Sequence, residues 1–188
     1  MWERAVRQLA AWKGTDKERL TISVNISAKD FYSLDIDRVL TELTERYGVP
    51  CSRLKLEITE TALLEDPANS DEVISRLRRK GFLVEIDDFG KGYSSLGLLK
   101  DIHADVLKID MSLLHETENR QRSRIILASI INMADSLGMD VVTEGVETET
   151  QLRSLLEMGC HHFQGFYFSR PVTVEEFEAR YGKGGGAT

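Results

Sequence analysis

Two adjacent carboxylates, Asp87 and Asp88, end the apolar run of Phe82, Leu83, Val84 and Ile86 and lead into the turn Gly90-Lys91-Gly92. An apolar run of that length bounded by turn residues reads as a buried strand of a parallel sheet. Paired acids at the end of such a strand repel one another unless a cation or a network of donors holds them. Clustered carboxylate oxygens suit hard cations, although Asp also serves turns and helix caps. Strict alternation along a strand sends Asp87 and Asp88 to opposite faces.

The elements that must position this pair alternate along the whole chain. Trp2, Val6, Leu9 and Trp12 recur at helical spacing up to Gly14, with no capping residue ahead of them, as expected of a chain cut inside a longer sequence. Leu20 to Ser27 is a strand, and Ile36, Val39, Leu40, Leu43 and Tyr47 make a helix closed by Gly48 and Pro50. Leu54 to Glu60 is the second strand; Asp66-Pro67 opens a helix through Val73, Ile74 and Leu77 to Gly81. The third strand carries Leu83, Glu85 and Asp87 on one face. A short helix over Tyr93 to Leu99 leads to a strand over Asp105 to Asp110, and a long helix runs through Ile125, Ile126, Met133 and Leu137. Asp140 to Gly145 is the fifth strand and His162 to Phe168 the sixth. Thr148 with Gln151, and Thr173 with Glu176, have the spacing of capping boxes.

This alternation predicts an α/β protein with a parallel sheet. In each strand one parity is apolar and faces the helices. The other carries Asn25, Glu57, Asp87, Lys108, Glu144 and Gln164, each near a C-terminal strand end. Polar groups gathered at one rim from several strands are the arrangement of a TIM-type (β/α)8 barrel. An open doubly wound sheet, which collects ligands at a switch point, is the alternative. Six strands are legible where a barrel needs eight, so the barrel is expected to be incomplete. Glu85 lies on the inward face below Asp87; an ion pair with an inward lysine such as Lys55 is favoured over a carboxylate lent to the rim.

Composition excludes several classes. The 188 residues are 41% hydrophobic, which suits one domain, and 24 Lys and Arg against 31 Asp and Glu give a net charge of -7. No DNA or RNA polymer and no anionic membrane is expected as a partner. Cys51 and Cys160 lie far apart, which suits free thiols in the cytoplasm, and no apolar stretch reaches bilayer length. Asp88-Phe89-Gly90 matches a kinase tripeptide without the rest of that motif set, and Gly90-Lys91-Gly92 lacks P-loop spacing. Cys160-His161-His162 cannot converge on one metal from adjacent strand positions.

Six stretches in order carry a resemblance: SVNIS at Ser23 to Ser27, LEITET at Leu56 to Thr61, IDDFGKGYSSL at Ile86 to Leu96, LKID at Leu107 to Asp110, TEGVET at Thr143 to Thr148 and FQGFYFSRP at Phe163 to Pro171. Together they resemble the EAL family, bacterial domains that hydrolyse cyclic di-GMP to linear pGpG with Mg²⁺ or Mn²⁺ on a modified (β/α)8 barrel. The resemblance implies Asn25, Glu57, Asp87 and Asp88 as ligands of two metals, Asp87 being shared. It implies Glu144 as general base or second-metal ligand and Lys108 beside the attacking water. Glu60, Asp110, Glu147 and Gln164 would be supporting residues, Glu60 by anchoring the DDFG loop.

The resemblance begins at Trp2, ahead of the family's third strand, and no Glu-Ala-Leu sequence occurs. The expectation is therefore residues 1–181 as a partial EAL domain and 182–188 as a flexible Gly-rich tail. The first metal would lack a carboxylate, and the chain alone would be weak or inactive. A non-catalytic cyclic di-GMP sensor or protein-interaction module is the alternative. Exposed sheet edges predict a homodimer or aggregation, and upstream sensory or GGDEF-type domains would belong to a longer protein.

Overall fold

A computed structural model describes residues 1–91, 96–110 and 120–181. Its helices are α1 (Trp2–Ala11), α2 (Ala28–Ser33), α3 (Ile36–Tyr47), α4 (Glu60–Glu65), α5 (Pro67–Arg79), α6 (Leu96–Asp101), α7 (Arg120–Ser136), α8 (Glu149–Glu157) and α9 (Val174–Tyr181). Between them run the strands β1 (Ile22–Asn25), β2 (Leu54–Thr59), β3 (Leu83–Phe89), β4 (Val106–Asp110), β5 (Asp140–Glu144) and β6 (His162–Phe163). The six strands pair in sequence order, all parallel. A doubly wound sheet would reverse its order at a switch point, so sequential order identifies this sheet as six staves of a barrel wall. The tail from residue 182 lies outside the described residues, as do 92–95 at the start of the helix expected from Tyr93.

Local chemistry sets the element ends. Ser27, Thr59 and Asp66 accept a backbone N–H as N-caps of α2, α4 and α5, and Pro67 opens α5. Both capping boxes form: Thr148 with Gln151, and Thr173 with Glu176. Leu54, Leu56, Ile58, Val84, Ile86, Leu107 and Ile109 are fully buried between sheet and helices. At roughly 25 cal/mol per Å² their burial is the main force holding helices to sheet.

One expectation needs correction. The sixth strand stops at Phe163, because Gly165 to Phe168 turn away and leave Phe166 and Phe168 half exposed. Gly165 forces this course: the place of its Cβ is taken by the backbone of Val146. The long helix expected through Ile125 and Met133 forms as α7, where the sheet takes the stripe Leu127, Ile130, Ile131 and Ala134, while Ile125, Ile126 and, just past its end, Leu137 face outward. Both stripes have helical spacing, and the periodicity alone does not choose between them.

One contact joins the ends of the chain. The Trp12 indole, 7% exposed, donates to Glu178 Oε1 at 2.7 Å, and its ring lies 5.9 Å from that of Phe177. Gln8 donates to the same carboxylate oxygen at 3.1 Å. Thus α9 is clasped to α1, the helix that precedes β1. Trp12→Ala should lower stability by about 3–5 kcal/mol, the range for deleting a buried Trp. Urea unfolding checks this, and a loss below about 1 kcal/mol would show that the clasp carries little.

Candidate active site

Lys108 Nζ is where four strands meet. From β4 it donates to Glu57 Oε1 of β2 at 2.6 Å, and it lies 2.8 Å from Glu144 Oε1 of β5 and 3.1 Å from Asp87 Oδ1 of β3. Register accounts for the meeting. Glu57 stands opposite Glu85, Asp87 lies two residues further along the same face, and Asp110 of β4 pairs with Glu144. Side chains two apart share a face, so these inward positions form one layer near the C-terminal ends. Two residues before Asp87 on β3, Glu85 is 2% exposed and accepts from Lys55 at 2.9 Å. That is the ion pair favoured from sequence.

The layer is electrostatically strained and balanced by its lysine. Burial pushes Glu57 above the ordinary carboxylate range; Lys108 opposes this, and repulsion from Asp87 and Glu85 adds to it. Glu144 is pushed up in the same way, with Asp87 and Glu57 as the repelling charges. Burial alone would lower the pKa of Lys108. The hydrogen bonds it donates to Glu144 and Glu57 outweigh burial and hold it well above the ordinary lysine value.

Asp87 and Asp88 do not part to opposite faces. The β3–β4 register runs Ile86 to Leu107 and then Phe89 to Ile109, so β3 carries one extra residue in a β-bulge. Asp88 sits in that bulge with φ 57°, the one non-glycine positive φ among the described residues. The bulge turns its carboxylate back, and oxygens of Asp87, Asp88 and Glu144 lie within 4.8 Å of one another. Asp87 Oδ1 accepts from the Asp88 amide at 2.9 Å, and Glu60 Oε2 accepts from the Gly90 amide at 3.4 Å. Three hard oxygen donors this close, drawn from two strands, fit a divalent cation.

The remaining predicted residues are spread around this cluster. Asn25 is exposed on edge strand β1, opposite Glu57 in register, and its carbonyl accepts the Trp2 indole N–H at 3.1 Å. Gln164 and Glu147 line a cavity of about 560 Å³ at the β6 edge, together with Phe166 and Arg170. The Arg170 guanidinium lies 5.0 Å from the centre of the Phe166 ring. Asp110 is 3.6 Å from Lys91 Nζ, which also contacts Asp88 Oδ1 at 2.8 Å. Sequence reasoning passed over Lys91, although its i,i+3 spacing from Asp88 across a glycine turn was visible. Cys160 is buried against the carbonyls of Val141 and His162, and His161 and His162 are exposed, so they form no cluster.

Residues 1–171 match the family model described as EAL domain. The chain is 38% identical over 181 residues to the cyclic di-GMP phosphodiesterase NbdA of Pseudomonas aeruginosa, covering 95% of this chain and 23% of NbdA. It superposes on the PaMucR phosphodiesterase in its c-di-GMP complex with a TM-score of 0.86 and 34% identity, over 94% of this chain and 71% of that one. For the manganese and cyclic di-GMP complex of Klebsiella pneumoniae BlrP1 the values are 0.80 and 30%, over 90% and 44%. The chain thus spans less than a quarter of the length of a curated relative such as NbdA.

Lys108→Met should cost about 3–5 kcal/mol in metal-free protein, because three carboxylates lose their counter-charge. The sign with pH follows from the raised carboxylates. Their folded values lie above the ordinary 4.5, so folding loses stability as pH rises from there through the folded values. Without Lys108 those values rise further, and the deficit should be larger at about pH 8 than at about pH 5. Urea titrations in chelator at both pH values check this; equal deficits would show that Lys108 does not neutralise the layer.

Proposed function

This chain belongs to the EAL domain family, and on that premise we propose that its carboxylate layer is the core of a site for metal-dependent hydrolysis of cyclic di-GMP to linear pGpG. The observation that carries the proposal is the convergence of Glu57, Asp87 and Glu144 on Lys108, with Asp88 turned into the same cluster by the bulge. Asn25, Glu57, Asp87 and Asp88 would hold Mg²⁺ or Mn²⁺, with Glu144 as base or as a further ligand. When bound, such ions supply charge neutralisation at the attacked phosphate and lower the pKa of water.

The chain's own residues do the rest. Glu144, whose carboxylate favours the protonated form through burial, takes the proton of a water attacking phosphorus. The bond from phosphorus to the 3′ oxygen breaks and that oxygen takes a proton from solvent, to which Glu144 returns the one it took, giving a 5′-phosphate and a 3′-hydroxyl. Lys108 places a fixed positive charge beside the nucleophile and the developing oxyanion. Glu60 fixes the turn after the two aspartates through the Gly90 amide. The cavity beside Gln164 and Glu147, with Arg170 and an exposed Phe166, offers a flat face and a cation to a purine nucleotide. Two free thiols are in keeping with a cytoplasmic setting.

Turnover of cyclic di-GMP should require Mg²⁺ or Mn²⁺ and stop in chelator. Glu144→Ala should lower it by about 10²–10⁴-fold while sparing dinucleotide binding. Asp87→Ala should weaken binding as well, since it removes a shared ligand. Stoichiometric binding in either metal without turnover in the unaltered chain would select a sensor over an enzyme. Among the described residues β1 and β6 are each paired on one side only, and these edges with the exposed Phe166 and Phe168 also support self-association of the isolated chain. A monodisperse monomer by light scattering would overturn that part.

A further inference from the structure

Among the described residues, Lys108 and Lys91 set their ammonium groups against the carboxylate cluster, and they are held very differently. Lys108 is locked: its side chain is 6% exposed and three strands contribute its acceptors. Lys91 is 57% exposed, on the turn after β3, with its Nζ 2.8 Å from Asp88 Oδ1 and 3.6 Å from Asp110 Oδ2. Its amide donates to the Asp88 carbonyl at 3.2 Å, which closes the turn formed by Asp88 at φ 57° and Gly90 at φ 95°. A tether of three residues keeps the ammonium at high effective concentration beside that carboxylate.

We infer that Lys91 is a resident cation that occupies Asp88 while no divalent ion is bound and is displaced from it when one binds, so that this side chain sets the metal affinity of the site. The inference rests on the metal-dependent function proposed above. Three features support it. The Asp88 carboxylate serves both Lys91 and the cluster with Asp87 and Glu144, and a carboxylate held by an ammonium is a poorer metal ligand. An exposed pair is weak enough for a divalent ion to replace it. The long lysine stem lets the ammonium leave without moving the turn that aims Asp88.

The test compares the full chain with K91M, which keeps the stem without the charge, and K91R, which keeps the charge. Calorimetric titration with MnCl₂ at about 0.5 M KCl screens charges lying beyond about 4 Å, so that contact dominates. K91M should bind Mn²⁺ about 3–10-fold more tightly than the unaltered chain, and K91R within about two-fold of it. In the unaltered chain, acetylation of Lys91 followed by mass spectrometry should rise at least about two-fold on adding Mg²⁺, while exposed Lys13 stays constant, as expected if the ion frees the ammonium. Tight Mn²⁺ binding with K91M unchanged, or Lys91 acetylation unaltered by Mg²⁺, would overturn the role of Lys91 and leave the metal site standing. No Mn²⁺ uptake by the unaltered chain or by K91M would overturn the metal site and this inference together.

Discussion

A buried ammonium needs acceptors, and buried carboxylates need a cation; at Lys108 each requirement answers the other. Unit charges about 4 Å apart interact by about 4 kcal/mol at the effective dielectric of a protein surface. Desolvation of each partner consumes much of that. The net effect on stability is therefore small, but the geometric demand is severe. Glu57, Asp87 and Glu144 reach one nitrogen only if β2, β3, β4 and β5 hold their registers to the residue. A slip of one position would turn each side chain to the helical face and bury three acids in hydrocarbon. The cluster thus acts as a register pin for the sheet as much as a site.

The second constraint is the bulge at the end of β3. Left-handed backbone at a non-glycine residue costs on the order of 1–3 kcal/mol, and Asp tolerates it better than most. What the structure gains is position: alternation would have sent Asp88 among the helices, and the extra residue returns it to Asp87 and Glu144. Several groups hold the bent segment. Glu60 accepts the Gly90 amide, Asp87 accepts the Asp88 amide, and Lys91 spans Asp88 and Asp110. Two of these contacts are to backbone amides, so the turn that aims Asp88 is held independently of the exposed Lys91.

Much of this was legible in the sequence because both periodicities are strong. Alternation in Leu54 to Thr59 and in Val106 to Asp110 placed Glu57 and Lys108 on one face, and the two-residue step from Glu85 to Asp87 separated the Lys55 partner from the rim. The capping boxes were legible for the same reason, since both ends of each contact lie within four residues. What escaped were departures from period and contacts across the chain. A bulge is one residue out of step and leaves no compositional mark beyond a tolerant Asp. α7 carries two apolar stripes, and packing picked one. Trp12 and Glu178 stand 166 residues apart, and no local pattern links them.

The sheet also divides the site by how firmly its parts are held. Glu57, Asp87, Lys108 and Glu144 sit on β2 to β5, each of which is paired on both sides. Among the described residues, Asn25 lies on β1 and Gln164 just past β6, and each of these strands is paired on one side only. An unpaired edge opens at little cost, whereas an interior strand opens only with most of the fold. Of the residues proposed to hold the cations, Glu57, Asp87 and Asp88 therefore belong to the rigid wall and Asn25 to its edge. The parts that would grip a large ligand at the edges take their final geometry from whatever covers those edges. On the function proposed here, metal binding and dinucleotide binding would then be separable, the first governed mainly by charge balance inside four strands and the second by the edge residues around them.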